Sequence, residues 1–390
     1  MKPLAITAYT ATSALGRGVA AMLEALRGGA SGLKPNDFDR AELRAWIGRV
    51  AGLEDERVAG PLAEFDCRNN RLAQVGLAQD GFAQAVSKVR AKYGPERVAV
   101  LLGTSTSGIL QTELAYRSRD AQGALPKSFD YRHGQNLYSV TDYVRRALGL
   151  EGPAMTISTA CSSSAKVFAS AWRYIEAGVA DAAVVGGVDS LCLTTLHGFT
   201  SLQLVSDEPC RPFDAARKGM SIGEGAGFAL LEKTETDGLA LLGYGESSDA
   251  HHMSTPHPEG EGALAAMRQA LGRAGLEPAA IDYVNAHGTA TPANDRAEDR
   301  ALVRLFGNRV PVSSTKGWTG HTLGAAGIVE AIVCFLALEH EFIPATLNTR
   351  VVEAGLESQV VLQNRGERLR HALTNSFGFG GSNCSLVFAA

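Results

Sequence analysis

The two halves of the chain repeat one pattern: a buried strand, a loop carrying a reactive residue, and a helix rich in small residues. In the first half the pattern covers Met155–Ala177, with Cys161 in its loop. In the second half it covers Val310–Leu338, with His321 in its loop. Alternating strands and helices predict α/β layers, and the recurrence predicts two similar halves. Packing such halves together would bring the loops at their strand ends to a shared site.

Other apolar runs and helical periodicities extend this alternation along the chain. The further predicted strands are Leu4–Tyr9, Arg97–Gly103, Ala182–Val188, Phe228–Leu231, Leu241–Ser247, Ile281–Asn285 and Ser385–Phe388, and the further helices are Gly18–Gly28, Arg71–Lys92, Gly262–Ala274 and Asp295–Phe306. Residues 31–70 are polar and predict an irregular surface segment, and residues 104–150 predict a cap insertion over the site. The polar stretch Lys233–Gly238 predicts the midpoint, which separates an N-terminal half, residues 1–235, from a C-terminal half, residues 236–390.

Composition narrows the class of protein. The chain has 390 residues, 45% of them hydrophobic, which is enough for a large core. A formal net charge of −4 gives no reason to expect nucleic acid as a partner. The six cysteines form no Cys-x-x-Cys pair and have no zinc spacing, so we expect a reducing compartment. We see no signal peptide and no apolar run near the roughly 20 residues of a membrane span, so we expect a cytoplasmic protein without membrane contact.

Cys161 is the candidate nucleophile. A helix is predicted to begin directly behind it and to run from about Ser162 to Ala177. The N–H groups and the dipole at the first turn of a helix favour thiolate over thiol, so we expect a lowered pKa. The alternative is a plain buried cysteine of the core, which this stretch alone supports equally well.

Further candidates lie in the second half. His287 directly follows a predicted buried strand, so it could face a pocket, although on its own it could as easily be a satisfied core histidine. Glycines bracket His321 on both sides, which lets backbone approach a ligand closely. Glu330 lies in an otherwise apolar run, so it needs a buried partner, for which Lys316 is a candidate. The Gly-rich stretch Thr374–Asn383 predicts a loop whose N–H groups could bind an oxyanion.

Four motifs in this order carry a resemblance to a known family: Thr159–Ser163, Asn285–Thr289, Lys316–Gly327 and Asn375–Gly381. With these motifs the chain resembles the elongating β-ketoacyl-acyl carrier protein synthases of the thiolase superfamily. The resemblance covers nearly the whole chain. It implies an α/β fold, a five-layer αβαβα sandwich of two similar halves, and a dimer. It implies neither a metal nor a redox cofactor, and it leaves a structural monovalent cation open.

The resemblance also implies roles for residues that match the motifs. Cys161 would take the acyl chain from a carrier protein's phosphopantetheine thiol. His287 and His321 would bind the malonyl thioester and assist decarboxylation, with Lys316 and Glu330 as their supporting pair.

Four more residues match the family's substrate-binding positions. The N–H groups of Cys161 and Phe379 would form the oxyanion hole. Phe377 and Phe379 would gate the acyl pocket, and Thr289 and Thr291 would lie beside the pantetheine arm.

The implied reaction is decarboxylative Claisen condensation in fatty acid or aryl polyene chain elongation, with acyl carrier protein as partner. Arg68–Arg71, Gly103–Gly108 and Gly245–Ala250 are closer to the aryl polyene ketosynthases. Members of that subgroup tend to pair with a chain-length-factor homologue, so both a homodimer and such a heterodimer stay open. Because carrier proteins are acidic, Arg68, Arg71 and Arg132 are candidate docking residues.

Two other functions remain as alternatives. The chain could be a subunit of the chain-length-factor kind or one active only with such a partner, although a purely structural subunit needs neither Cys161 nor the two histidines. It could also be a thiolase or thioesterase acting on CoA esters. A thiolase would need a second active cysteine, and Cys384 lies inside a predicted strand, which indicates a core residue.

Overall fold

A computed structural model describes residues 1–39, 41–234 and 237–390. The predicted boundary between the halves, at residues 235 and 236, lies outside the described residues and stays a prediction. The strands of the first half are β1 Leu4–Ser13, β2 Gly16–Arg17, β3 Leu33–Pro35, β4 Trp46–Gly48, β5 Val98–Gly103, β6 Ala154–Ile157, β7 Ala182–Asp189, β8 Ile222–Gly223 and β9 Gly225–Glu232. Its helices are α1 Val19–Gly28, α2 Arg68–Leu77, α3 Phe82–Tyr93, α4 Ile109–Arg117, α5 Tyr131–Gly134, α6 Ser139–Ala147, α7 Ser163–Glu176 and α8 Leu193–Ser201.

The second half contains fewer helices. Its strands are β10 Ala240–Ser248, β11 Tyr283–Asn285, β12 Pro311–Ser313, β13 Phe342–Ile343, β14 Gln359–Val360, β15 Arg365–Gly366, β16 His371–Gly378 and β17 Ser382–Ala389. Its helices are α9 Glu261–Ala274, α10 Pro292–Phe306, α11 Lys316–Thr319 and α12 Ala326–His340.

The sheet topology confirms the repeat. The first half has the strand order β1-β9-β7-β5-β6, and the second half has the corresponding order β10-β17-β16-β11-β12. In each half the first two pairs are antiparallel and the last two are parallel. The halves meet where β1 pairs with β10, with Leu4 opposite Leu241.

Helices cover both faces of each five-stranded unit. Helices α7 and α12 pack against each other between the two units, and α12 contacts both β9 and β16. Helix α2 covers β9 on the outer side of the first unit, and α9 covers β10 and β17 on the outer side of the second. The result is the predicted five-layer αβαβα sandwich, because each strand layer buries both faces.

Helix α12 is deeply buried along most of its length. Every residue from Ala326 to Leu338 is buried, which explains why the run is apolar on all sides. The stretch Leu323–His340 is the one helical stretch, in the part of the chain that the structure describes, long and apolar enough to span a membrane, and 89% of it is buried inside the protein. A core helix passes the same test, so the finding is weak evidence for a span.

Three local predictions were wrong. Residues 31–70 are not a surface segment, because they place apolar side chains such as Phe38, Ile47 and Phe65 in the core. The helix predicted over Arg71–Lys92 is two helices, α2 and α3, since Asp80 and Gly81 adopt positive φ between them. The stretch Thr374–Asn383 is mostly strand, because it pairs in register with β17 as far as Gly378.

The segment predicted as a cap, residues 104–150, forms α4, α5 and α6. Among the described residues, none of this segment lines the cavity beside Cys161. It lies instead beside β6, at the outer edge of the first unit, and exposes several large apolar side chains.

Candidate active site

Cys161 lies in a tight turn between β6 and α7. Ala160 has a φ of +52°, so the chain turns sharply after the strand, and the helix begins two residues later at Ser163. The end of β16 packs against this turn. A Cβ on Gly378 would lie 2.7 Å from the carbonyl oxygen of Thr159, so only glycine allows this approach. The nucleophile from one half thereby meets the glycine-rich turn of the other.

The predicted low pKa of Cys161 was wrong. Burial raises the pKa of the thiol to about 12, against the opposing effects of the Lys316 charge and of a hydrogen bond from the Phe379 N–H. The helix N-terminus is present, but burial of the sulfur destabilises the thiolate more than the nearby donors stabilise it. Cys161 is therefore a neutral thiol at neutral pH in the free protein.

His321 contacts this thiol directly. Its Nε2 lies 2.9 Å from the Cys161 Sγ. Burial first, and then the charge of Lys316, lowers the pKa of His321 well below its usual value, so the ring is neutral. Nδ1 has no hydrogen-bond partner among the described residues. A buried N–H without an acceptor is costlier than an unused lone pair, so the proton belongs on Nε2, which donates toward Sγ.

His287 is held by Lys316. The Lys316 Nζ lies 3.3 Å from Nδ1 of His287 and also donates to the carbonyl oxygen of the same residue. Burial first, and then the charges of Lys316 and His321, lowers the pKa of His287 well below its usual value. Because the ammonium donates to Nδ1, the neutral ring carries its proton on Nε2.

The predicted partnership of Lys316 and Glu330 is confirmed by contact. Lys316 Nζ lies 2.5 Å from Glu330 Oε1, and the side chains are only 1% and 4% exposed. Burial raises the pKa of Glu330 to about 7, although the Lys316 charge opposes the change. The carboxylate therefore fixes the ammonium next to His287, where it controls the ring's tautomer.

Cys161, His287 and His321 also present a donor set that could hold a metal. One ligand atom from each lies within 4.8 Å of the others, and zinc accepts such sulfur and nitrogen donors. The Lys316 ammonium opposes this use, because its hydrogen bond to His287 Nδ1 keeps the ring proton on Nε2, and because its positive charge repels a cation. Two imidazole N–H groups near a positive charge suit an anionic oxygen better.

Cys161, His287 and His321 line a cavity of about 190 Å³. Phe377, Phe379, Thr289 and Thr291 all line it, so the structure brings the predicted substrate-binding residues together with the nucleophile. The Phe377 ring lies 5.8 Å from that of His287, and the hydroxyls of Thr289 and Thr291 are 2.8 Å apart.

Sequence reasoning missed one wall of this cavity. Phe199 and Leu202, at the end of α8, and Leu204 and Met220 beyond it form an apolar side. Phe199 packs edge-on against Phe379, with ring centroids 5.5 Å apart. The only signal was the apolar character of α8, which core helices share, so no pattern in the sequence separated this wall from the core.

The candidate docking arginines differ in their surroundings. Arg68 is buried and its guanidinium binds Glu224 at 2.6 Å, so its prediction as a surface residue was wrong. Arg71 binds Asp66 at 2.5 Å, whereas Arg132 is exposed. Cys384 is fully buried on β17, as expected of a core cysteine.

Comparison with known proteins gives one consistent family. The models of the beta-ketoacyl synthase N-terminal and C-terminal domains match residues 1–237 and 239–350. The 3-oxoacyl-[acyl-carrier-protein] synthase 2 of Vibrio cholerae is 34% identical over 409 residues, covering 98% of this chain and 98% of that protein. The ketosynthase ApeO from Xenorhabdus doucetiae, solved in complex with its chain length factor ApeC, is 39% identical, with a TM-score of 0.90 over 100% of this chain and 98% of that one.

A second solved structure, the ishigamide ketosynthase/chain length factor, is 29% identical, with a TM-score of 0.89 over 100% of this chain and 99% of that one. The matches to the family models, the sequence relatives and the folds therefore agree with the geometry of the site. The chain belongs to the β-ketoacyl synthase family and is a condensing acyltransferase of the 3-oxoacyl-acyl carrier protein synthase type.

Proposed function

We propose that the chain condenses malonyl-acyl carrier protein with an acyl group held on Cys161, with loss of CO2. One observation carries the assignment of roles: the Cys161 sulfur, the His321 imidazole and the Phe379 N–H meet at one end of a cavity that His287 also lines. A nucleophile and several N–H donors around one reacting carbon are the requirements of acyl transfer.

In the first half-reaction the Cys161 sulfur attacks the thioester carbon of an acyl-carrier protein. The new carbon–sulfur bond forms as the bond to pantetheine breaks, and the proton given up by Cys161 ends on the pantetheine sulfur. Nε2–H of His321 and N–H of Phe379 favour the attacking thiolate. The Phe379 N–H then lies next to the oxygen on which negative charge develops.

In the second half-reaction the malonyl carboxylate leaves as CO2, and its electron pair moves onto the thioester enolate. His287 donates from Nε2, because Lys316 occupies its Nδ1, and His321 is free of the thiolate once Cys161 is acylated. Two donors stabilise the enolate oxygen. The enolate carbon then attacks the acyl-Cys161 carbon, which releases the β-ketoacyl product and restores the Cys161 sulfur.

The cavity favours condensation over the two CoA-ester alternatives. Phe377, Phe379 and Phe199 line the cavity of Cys161 with apolar surface, which disfavours the water that a hydrolase needs. A thiolase needs a second thiol, and among the described residues Cys161 is the one cysteine that lines the cavity.

We further propose that the chain works in aryl polyene elongation as one subunit of a heterodimer with a chain-length-factor homologue. The likeness to two ketosynthases solved with such factors supports this partner. The surface also supports it. Strand β6 ends the sheet, and among the described residues β5 is its one neighbour, so its outer edge can pair with another strand.

Leu137 lies at this edge, because its carbonyl accepts a hydrogen bond from the Thr156 hydroxyl of β6, and the segment of residues 104–150 exposes further large apolar side chains. We define the partner face as β6 together with Leu114, Tyr116, Tyr131, Leu137 and Tyr138, which are 39% to 57% exposed. Several large apolar side chains exposed within one segment of the chain indicate contact with another chain. The six cysteines are free and buried, which supports our expectation of a reducing, cytoplasmic location.

The test measures intact-protein mass after incubation with an acyl-carrier protein and then with malonyl-carrier protein, for the chain alone and co-expressed with a chain-length-factor homologue. We expect an acyl adduct that Cys161→Ser abolishes and that malonyl-carrier discharges as a longer β-ketoacyl-carrier. An adduct that water discharges as free acid would instead indicate a hydrolase. Full activity of a homodimer, unchanged by the homologue, would contradict the heterodimer.

A further inference from the structure

Asp189 lies at the end of β7 and is completely buried, and no cation pairs with its carboxylate among the described residues. Its Oδ1 accepts hydrogen bonds from the Thr104 hydroxyl at 2.6 Å and from the N–H and hydroxyl of Thr106 at 2.9 and 2.7 Å. Its Oδ2 accepts from the Ser105 hydroxyl at 2.5 Å and from the Gly324 N–H at 2.5 Å. The Ser105 N–H lies 3.0 Å from both oxygens.

These donors come from two loops. Thr104, Ser105 and Thr106 follow β5, and Gly324 belongs to the loop that carries His321. A buried carboxylate without a counter-ion is stable only when such donors saturate it, so the two loops are fixed to each other through Asp189.

The loop after His321 needs this attachment. The N-terminal side of this loop is held at His321 itself. The His321 N–H donates to the Ser221 carbonyl at 2.7 Å, and the His321 carbonyl accepts from the Gly223 N–H at 2.9 Å. On its C-terminal side, Leu323 has a φ of +54°, a conformation that a side chain disfavours. The next N–H along the chain, that of Gly324, is the one that Asp189 binds.

The approach of the two loops requires glycine at position 324. A Cβ on Gly324 would lie 2.7 Å from Asp189 Oδ2 and 2.8 Å from the Ser105 nitrogen. Both distances are shorter than a Cβ atom can approach another atom, so any larger residue would push the His321 loop away from the carboxylate.

We propose that Asp189 is a positioning residue for His321. It holds the C-terminal side of the His321 loop, while β8 holds the N-terminal side, and the two attachments together direct the imidazole at the reacting atoms. The proposal rests on the role of His321 in decarboxylation given above. It assigns Asp189 no contact with substrate.

A second effect of Asp189 acts in the opposite direction and makes the proposal testable. The negative charge of Asp189 is one of the causes that raise the pKa of the Cys161 thiol. Removing that charge alone would therefore favour the thiolate and leave acylation unharmed or faster. Losing the position of His321 would instead slow decarboxylation, which depends on its N–H.

The experiment compares two rates in Asp189→Asn and in Gly324→Ala. Acylation of Cys161 by an acyl-carrier protein and loss of CO2 from malonyl-carrier protein are both followed by mass. In Asp189→Asn, an NH2 group replaces one carboxylate oxygen and faces N–H or O–H donors that it cannot accept from. This change should release the His321 loop. We expect decarboxylation to fall by about 100-fold, the effect of a misplacement of roughly 1 Å. Acylation should stay within about threefold, because the lost charge offsets the weaker His321 contact.

Two controls separate positioning from general stability. Asp299→Asn removes another buried carboxylate, which accepts from the N–H groups of Glu357 and Ser358 and contacts no residue of the site; it should leave the ratio of the two rates unchanged. In a His321→Ala background, Asp189→Asn should change decarboxylation by less than about twofold, because no side-chain N–H remains at this position to be held in place.

The possible outcomes are distinct. A parallel fall of both rates in Asp189→Asn and Gly324→Ala would mean that Asp189 only supports the fold, and unchanged rates in both would mean that it does not position His321. Either result overturns the proposal while the wild-type reaction stands. A wild-type protein that is acylated but never releases CO2 would instead overturn the proposed function.

Discussion

At the scale of single residues, the proposed mechanism gives His321 two separable tasks. Its Nε2 contacts the Cys161 sulfur at 2.9 Å, and in that mechanism its N–H is also one of the two donors to the malonyl oxygen. Without His321, the Cys161 thiolate still accepts a hydrogen bond from the Phe379 N–H. The enolate oxygen, in contrast, keeps only one of its two imidazole donors. The two half-reactions should therefore differ in their dependence on this ring.

We predict that His321→Ala abolishes detectable condensation and slows decarboxylation by about 100- to 1,000-fold, the usual cost of losing one oxyanion donor. Acylation of Cys161 should continue at about one-tenth of its rate, because one hydrogen bond to a charged sulfur is lost. Mass measurement of the acyl adduct and of the carrier product checks both. Complete loss of the adduct on a folded protein would contradict this division of roles.

The pH dependence of Cys161 is a second prediction at this scale. Burial raises its folded pKa to about 12, so the thiolate fraction grows throughout the accessible range. Alkylation by iodoacetamide should increase about tenfold per pH unit from pH 6 to 10, without the plateau that an ordinary thiol of pKa near 8.5 shows above pH 9. A plateau below pH 8 would show that the donors around the sulfur outweigh its burial.

At the scale of elements, the site depends on the contact between α7 and α12. These helices follow Cys161 and His321 respectively, and they pack closely because Gly327 lies against Ala165. A Cβ at position 327 would lie 2.5 Å from the Ala165 nitrogen. The small residues of both helices therefore set the distance between the two reactive loops.

We predict that Gly327→Ala lowers the free energy of unfolding by about 1–3 kcal/mol, the usual cost of overpacking. Gly272→Ala in α9 is a matched control, because its Cβ would meet no atom within 4 Å. That change should raise the stability by about 0.5–1 kcal/mol, since alanine is the better helix former. Thermal or denaturant unfolding checks both, and equal effects at the two positions would argue against a tight helix contact.

The elements also show which features were predictable from sequence. The strands and helices around Cys161 and His321 follow from local apolar periodicity, so their prediction was confirmed to within a few residues. The break at Asp80 and Gly81 was not predictable, because it depends on the Asp80 carboxylate accepting from Val19, far away in the chain. The same holds for Arg68, whose partner Glu224 lies 156 residues away. The pKa of Cys161 escaped prediction because the sequence does not reveal how deeply a helix N-terminus is buried.

At the scale of the whole molecule, the chain carries all of the predicted reactive groups but leaves the β6 edge of its sheet open. Within the described residues, Cys161, His287, His321, Lys316 and Phe379 all come from this chain. Strand β6 precedes Cys161 by only a few residues and forms the open edge. Pairing of another chain at this edge would fix the strand that leads to the nucleophile.

We therefore predict that Leu137→Glu combined with Tyr116→Glu prevents association through the partner face. Both side chains are exposed, 42% and 54%, so the separate chain should keep its fold and its thermal unfolding temperature within a few degrees. Burying two carboxylates against an apolar partner is costly, so light scattering of the double variant co-expressed with the chain-length-factor homologue should show separate chains where the wild-type pair gives the proposed heterodimer. Val351→Glu is the matched control, because Val351 is 65% exposed and lies outside the partner face. Dimers that persist in the double variant, or that Val351→Glu disrupts equally, would place the interface on another surface.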